Sequence, residues 1–113
     1  MLMQFGDESA LSAKSREWVQ QMIKFMTEFT TGLKESGELL ADEGLALAPN
    51  AKVVSIEDGA VATRDGTFTD PEQSLAGWWL VDVVDEARAL ELARQIVAGA
   101  GEPVAVRRCH ELP

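Results

Sequence analysis

Between Leu75 and Val83 the chain reads Leu-Ala-Gly-Trp-Trp-Leu-Val-Asp-Val, apolar at all but one position. Nine residues bounded by a polar loop and an acidic stretch suit a strand better than a helix. Side chains alternate across a strand, so Leu75, Gly77, Trp79, Val81 and Val83 are predicted on one face and Ala76, Trp78, Leu80 and Asp82 on the other. Adjacent tryptophans then project to opposite sides of one sheet. One serves a helix-covered core, and the other needs a second cover. A monomer rarely leaves such a patch bare, and a twofold-related copy of the same sheet is the usual remedy. The strand therefore predicts a homodimer packed sheet to sheet.

The remaining pattern predicts what flanks that strand. Leu2 to Phe5 reads as a short buried strand ended by Gly6-Asp7. From Ser12 to Ser36 the residues Trp18, Met22, Phe25, Phe29 and Leu33 recur at steps of three and four, the stripe of a helix with one buried face. Ser12 or Ser15 is its predicted start and Gly37 its end. A second strand is predicted over Leu39–Leu47, with Leu39, Ala41, Glu43, Leu45 and Leu47 on its more apolar side. Val53–Ile56 and Ala60–Thr63, joined by Glu57-Asp58-Gly59, carry the signal of a tight hairpin. A helix capped by Asp85 is predicted to about Ala98, with Ala89, Leu90, Ala93, Ile96 and Val97 as its apolar face. Gly99-Ala100-Gly101 and Pro103 end it, and Val104–Arg108 forms a last strand. That order implies an α+β fold of ferredoxin-like type, two helices lying on one face of an antiparallel sheet.

Charge and length restrict the function classes. The 113 residues suit one domain spanning 1–113, and 19 acidic against 10 basic residues give a formal charge of −9. Such a surface repels phosphate backbones and anionic lipids, which argues against nucleic-acid and membrane partners and favours a partner with basic patches. The single cysteine, Cys109, has no intrachain disulfide partner, and Met1 to Phe5 lacks the pattern of a signal peptide. A cytoplasmic setting is the expectation. No phosphate-binding glycine loop is present, so no nucleotide cofactor is implied, and none of another kind is expected.

Several side chains are candidates for chemistry. Asp65-Gly66-Thr67-Phe68-Thr69-Asp70 offers two carboxylates and two hydroxyls beside an aromatic wall from Phe68 and Trp78 or Trp79. Alternatively Asp65 and Gly66 build a turn and Phe68 plugs the core. Glu43 sits among leucines in the predicted strand, where a buried carboxylate is costly. It is a raised-pKa acid, a partner for Lys24, Arg64 or Arg107, or a residue exposed by a slip of register. Cys109-His110-Glu111 contains metal-ligand types, but strand neighbours point to opposite faces and no second cluster completes a site, so no metal is expected and the thiol reads as buried or inert. Lys24, Arg107 and Arg108 read as solvated cations.

Gly6-Asp7-Glu8, Gly37-Glu38-Leu39-Leu40, Glu43-Gly44-Leu45 and the run from Asp65-Gly66-Thr67-Phe68 into Gly77-Trp78-Trp79-Leu80-Val81-Asp82 resemble the YCII-related proteins, in particular the branch named for an Asp-Gly-Pro-Phe motif. The resemblance implies a ferredoxin-like fold assembled as a dimeric α/β barrel. Members of this family are often found beside or fused to extracytoplasmic-function sigma factors. Some relatives are enzymes on small aromatic or cyclic compounds, for which a His-Asp pair has been proposed. This chain has Thr67 in place of the motif's proline, no histidine in its first helix, and only His110 elsewhere. A neutral-pH dyad therefore has no imidazole in the expected place. The leading expectation is a non-catalytic dimeric module that binds a small molecule or a regulatory protein partner through the space between the sheets. The alternative is a lyase or isomerase acting on a small cyclic compound with Glu43 or Asp70 as acid/base, and a purely structural role is a third reading.

Overall fold

The computed structural model describes residues 1–7 and 12–111. Six strands and two helices alternate along the chain: β1 (Leu2–Phe5), α1 (Arg16–Ser36), β2 (Leu39–Gly44), β3 (Lys52–Glu57), β4 (Ala60–Asp65), β5 (Leu75–Val81), α2 (Glu86–Ala100) and β6 (Val104–Val106). Four of them form one antiparallel sheet in the order β2-β5-β1-β6, the arrangement of a ferredoxin-like fold. Strands β3 and β4 stand apart as a separate two-stranded sheet. Hydrophobic alternation located that hairpin but carried no information about whether it joined the main sheet.

Local chemistry explains where the helices begin and end. Ser15, rather than Ser12, caps α1, its side chain accepting from the Trp18 N–H at 3.1 Å. At the other end Gly37 adopts φ 80°, a left-handed conformation glycine takes without steric cost, and the Glu38 N–H closes onto the Leu33 carbonyl at 3.0 Å. Asp85 caps α2 by accepting from the Arg88 N–H at 2.9 Å, and Gly101, at φ 77°, ends it.

Both helices cover the same face of the sheet. Leu2 on β1 lies opposite Trp79 on β5 and Val106 on β6, which puts all three on that face. Phe29 and Leu33 from α1, and Leu92, Ala93 and Ile96 from α2, join Leu2 and Trp79 in one buried cluster. Phe29 meets Trp79 edge-on at 5.8 Å, and the Trp79 indole N–H donates to the Thr30 hydroxyl at 3.4 Å. Each large side chain in this cluster contributes about 1.5–3 kcal/mol relative to exposure. Helix α2 presents a stripe rotated from the predicted one: Leu92 is buried while Leu90 and Val97 are exposed. The two helices touch through a glycine. A Cβ at Gly99 would lie 2.5 Å from the Phe25 ring, so only glycine lets that ring pack against α2.

Two bulges decide which residues face the helices. Leu75 pairs with Phe5 and Gly77 with Gln4, leaving Ala76 as an extra residue in β5. Leu75 consequently joins Phe5 on the face away from the helices, and Ala76 is buried, the reverse of unbroken alternation. In β2, Leu39 pairs with Val81 and Ala41 with Leu80, so Leu40 is the extra residue. Leu39 packs against the core while Ala41 and Glu43 turn to the opposite face. The strand also stops at Gly44, short of the predicted Leu47.

A charged clip ties the helix ends to the sheet. Arg88 grips Glu38 in a two-pronged ion pair, Nε to Oε2 and Nη2 to Oε1, both at 2.9 Å, and the Ser36 hydroxyl adds a third donor at 2.8 Å. The Glu38 carbonyl meanwhile accepts from the Asp82 N–H at 2.8 Å. Chiefly through the Arg88 and Ser36 hydrogen bonds, the Glu38 carboxyl is pulled from 4.5 to about 2. A folded-state pKa below the unfolded one gives stability that is complete above pH 4.5 and is lost as pH falls from there toward 2. Urea midpoints measured at pH 6 and pH 3 are expected to fall less in Glu38→Gln than in the parent chain. Equal falls would show that the clip contributes no acid sensitivity.

Candidate functional site

The face away from the helices carries the candidate site. Register pairs Glu43 on β2 with Trp78 on β5, Trp78 with Met3 on β1, and Met3 with Ala105 on β6. These four residues form one row across the sheet, because directly paired residues share a face. Leu80 beside Ala41 continues the surface at one end, and Phe5 beside Leu75 at the other. Met3, Phe5, Trp78, Leu80 and Ala105 are all half-buried, and none of them belongs to the core cluster beneath the helices.

Glycine sets the height of this row. A Cβ at Gly77 would lie 3.1 Å from the Glu43 carbonyl oxygen, closer than the two backbones tolerate comfortably. The bare Cα lets β2 approach β5 and holds Glu43 opposite Trp78. Glu43 itself is exposed, with no ion pair or side-chain hydrogen bond among the described residues. It is therefore neither a buried acid nor a partner of the cations suggested by sequence. Lys24 lies 3.9 Å from Glu28, and Arg64 donates to the Thr67 carbonyl at 3.1 Å. The bulge at Leu40 is the register slip that brings Glu43 to this face.

The two tryptophans divide as their adjacency required. Trp79 is a core residue and does not border the open face, so of the two tryptophans only Trp78 lies there, with Phe5 at one end of the surface. Asp65 ends β4, Phe68 and Asp70 lie on the loop after it, and no hydrogen bond or ion pair links the three to Glu43 or Trp78 among the described residues. Asp65 pairs with Lys52 across the base of the hairpin, and the Gly66 N–H, at φ 98°, donates to Ala51 at 2.8 Å. The Thr69 hydroxyl donates to the Gln73 carbonyl at 3.2 Å, and the Ser74 hydroxyl to Pro71 at 2.7 Å. The loop is stitched to itself. Phe68 does not plug the core: it is 82% exposed. Asp70 is exposed beside the short turn Pro71–Gln73.

Cys109 is exposed rather than buried, and among the described residues no three His, Cys, Asp or Glu side chains gather as a metal site would require. A second concavity, about 130 Å³, lies on the helix side between Gln4, Trp18, Met22 and Glu102. Asp7 and Lys14 also border it, and residues 8–11 next to Asp7 lie outside the described residues. No helix among the described residues is long and apolar enough to cross a membrane.

Sequence reasoning found Glu43 and Trp78 and put Leu80 on the same face as Trp78, but missed Met3, Phe5 and Ala105 as their neighbours. The partners of β1 and β6 are set by pairing between distant strands, and no local spacing encodes it. The open face amounts to a shallow apolar platform with one indole and a carboxylate at the β2 edge.

The family model described as the YCII-related domain matches residues 1–111. An uncharacterised protein of Rhizobium meliloti (strain 1021) is 27% identical over 116 residues, covering 96% of this chain and 94% of its own length.

Gly77→Ala is expected to cost about 1–3 kcal/mol by chemical denaturation, since the methyl pushes against backbone that cannot move aside. Amide exchange should quicken along β2 while β1 and β6 keep their protection. Unchanged stability and exchange would show that Gly77 is not what positions Glu43.

Proposed function

The chain belongs to the YCII-related domain family, and from that premise we propose that it works as a homodimer, sheet facing sheet, that binds a small molecule in the space between. The observation that supports this reading is the uncovered apolar platform around Trp78, Met3 and Leu80, on the one face of the sheet that the helices leave bare. A second copy removes that surface from water, and Glu43 at the rim supplies an acceptor for a donor group on the ligand. The net charge of −9 favours neutral or cationic aromatic compounds over anionic ones. The same acidic exterior suits a regulatory protein partner with a basic surface, in a cytoplasmic setting.

The role proposed is binding rather than catalysis. Glu43 and Asp70 are both exposed, and among the described residues neither side chain makes an ion pair or a hydrogen bond. The lyase or isomerase reading has no observation of its own in support.

The two tryptophans supply the test. Trp79→Ala is expected to cost about 3–5 kcal/mol in stability, because it empties the core. Trp78→Ala should leave the fold standing and instead weaken dimerisation, read as a shift toward monomer in sedimentation equilibrium. A thermal-shift screen with neutral, cationic and anionic aromatic compounds should favour the first two, and Trp78→Ala should abolish the response. A parent chain that is monomeric at micromolar concentration, or a Trp78→Ala variant as unstable as Trp79→Ala, would overturn the reading.

A further inference from the structure

The β3–β4 hairpin is an apolar element with nothing to pack on. Asp58 at φ 50° and Gly59 at φ 81° form its tight turn, and Ile56 pairs with Val61 as Val54 does with Thr63. Those residues share one face of the ribbon, where Val54 is 64% exposed and Ile56 and Val61 are each 75% exposed. An isolated two-stranded hairpin is marginal in water, and a row of bare β-branched side chains makes it more so. Neither strand packs appreciably on any other strand or helix. The hairpin stands out from the body. Its extension shows in the whole molecule: the radius of gyration is 16.1 Å, against about 13 Å for a compact domain of this length. Principal extents of 48 × 48 × 18 Å describe a thin body whose arm does not curl over its own sheet.

The same chain carries a second uncovered apolar surface, the open face around Trp78. Sheet-to-sheet contact alone is small for a stable dimer. Four strands spaced about 4.8 Å apart and roughly five residues long present on the order of 300–350 Å² in projection. A stable interface needs about 800 Å² per partner. Each chain contributes one arm of two six-residue strands, on the order of 200 Å², which raises the apolar area it offers to roughly 500–550 Å² in projection.

We propose that the β3–β4 hairpin is an exchange arm: it lays Val54, Ile56 and Val61 on the open sheet face of a second copy of this chain, so that each binding space is walled by residues of both chains. The proposal rests on the homodimer reading and adds to it that the site is incomplete without the other chain's arm. It accounts at once for both uncovered apolar surfaces and for the reach of the hairpin. The occupant is a second copy because that copy brings the complementary surface twice over, once for each arm.

The test uses the full chain. The double variant Ile56→Glu, Val61→Glu alters exposed side chains only, so its circular dichroism should match the parent's. Analytical ultracentrifugation is expected to show a dimeric parent and a variant whose dissociation constant is raised at least about a hundredfold, the fold-change that burying two carboxylates in an apolar contact would impose. A dimeric parent with an equally dimeric variant overturns the arm exchange and leaves the sheet-facing dimer intact. A monomeric parent overturns both. In a Cys109→Ser background, mixing Ile56→Cys chains with Leu80→Cys chains under mild oxidation should yield a disulfide between unlike chains. Disulfides formed only between two Ile56→Cys chains would overturn the proposal in favour of arm-to-arm pairing.

Discussion

A central strand that is apolar on both sides has to be covered on both sides, and this chain supplies a cover for one. Strand β5 lies between β2 and β1, so Trp79 and Trp78 sit in the middle of the sheet on opposite faces. The helix face is closed by Phe29, Leu33, Leu92 and Ile96. The fold on that side follows from ordinary burial. On the other side a platform of half-buried apolar residues remains, and the proposed function and assembly follow from it.

Small irregularities determine what the platform contains. One extra residue in β5 moves Leu75 to the open face, and one in β2 brings Glu43 there. Without the second bulge Glu43 would point at the helices, where an unpaired carboxylate is expensive. Gly77 lets the edge strand sit close enough for Glu43 and Trp78 to face each other, and Gly99 lets Phe25 lie against α2. The clip between Glu38 and Arg88 joins residues fifty positions apart and fixes the end of α1, the start of α2 and the end of β5 at one corner.

The elements themselves were legible. Caps at Ser15 and Asp85, glycines at 37 and 101, and the Asp58-Gly59 turn mark boundaries by local chemistry that does not depend on the rest of the fold. The site was legible in part. Glu43 stood out as a carboxylate in an apolar run and Trp78 as half of a forced pair. Asp65 and Phe68 drew attention as a motif, yet the structure uses Asp65 to brace the hairpin and leaves Phe68 in solvent. Glu38 and Arg88 gave no local signal, because an ion pair across fifty residues has no spacing to recognise.

By itself the sequence determined the secondary structure, the α+β class, and the requirement that one tryptophan lack a cover within its own helix layer. Those follow from alternation, helical periodicity and capping, which are properties of neighbouring residues. Only the tertiary structure decided that Trp79 is the core residue and Trp78 the half-buried one on the open face, that Glu43 shares that face, and that β3 and β4 leave the main sheet to pair with each other. Each of these depends on strand order and on bulges, and both are set by pairing between segments far apart in the chain. A shift of one residue in that pairing turns every following side chain to the other face.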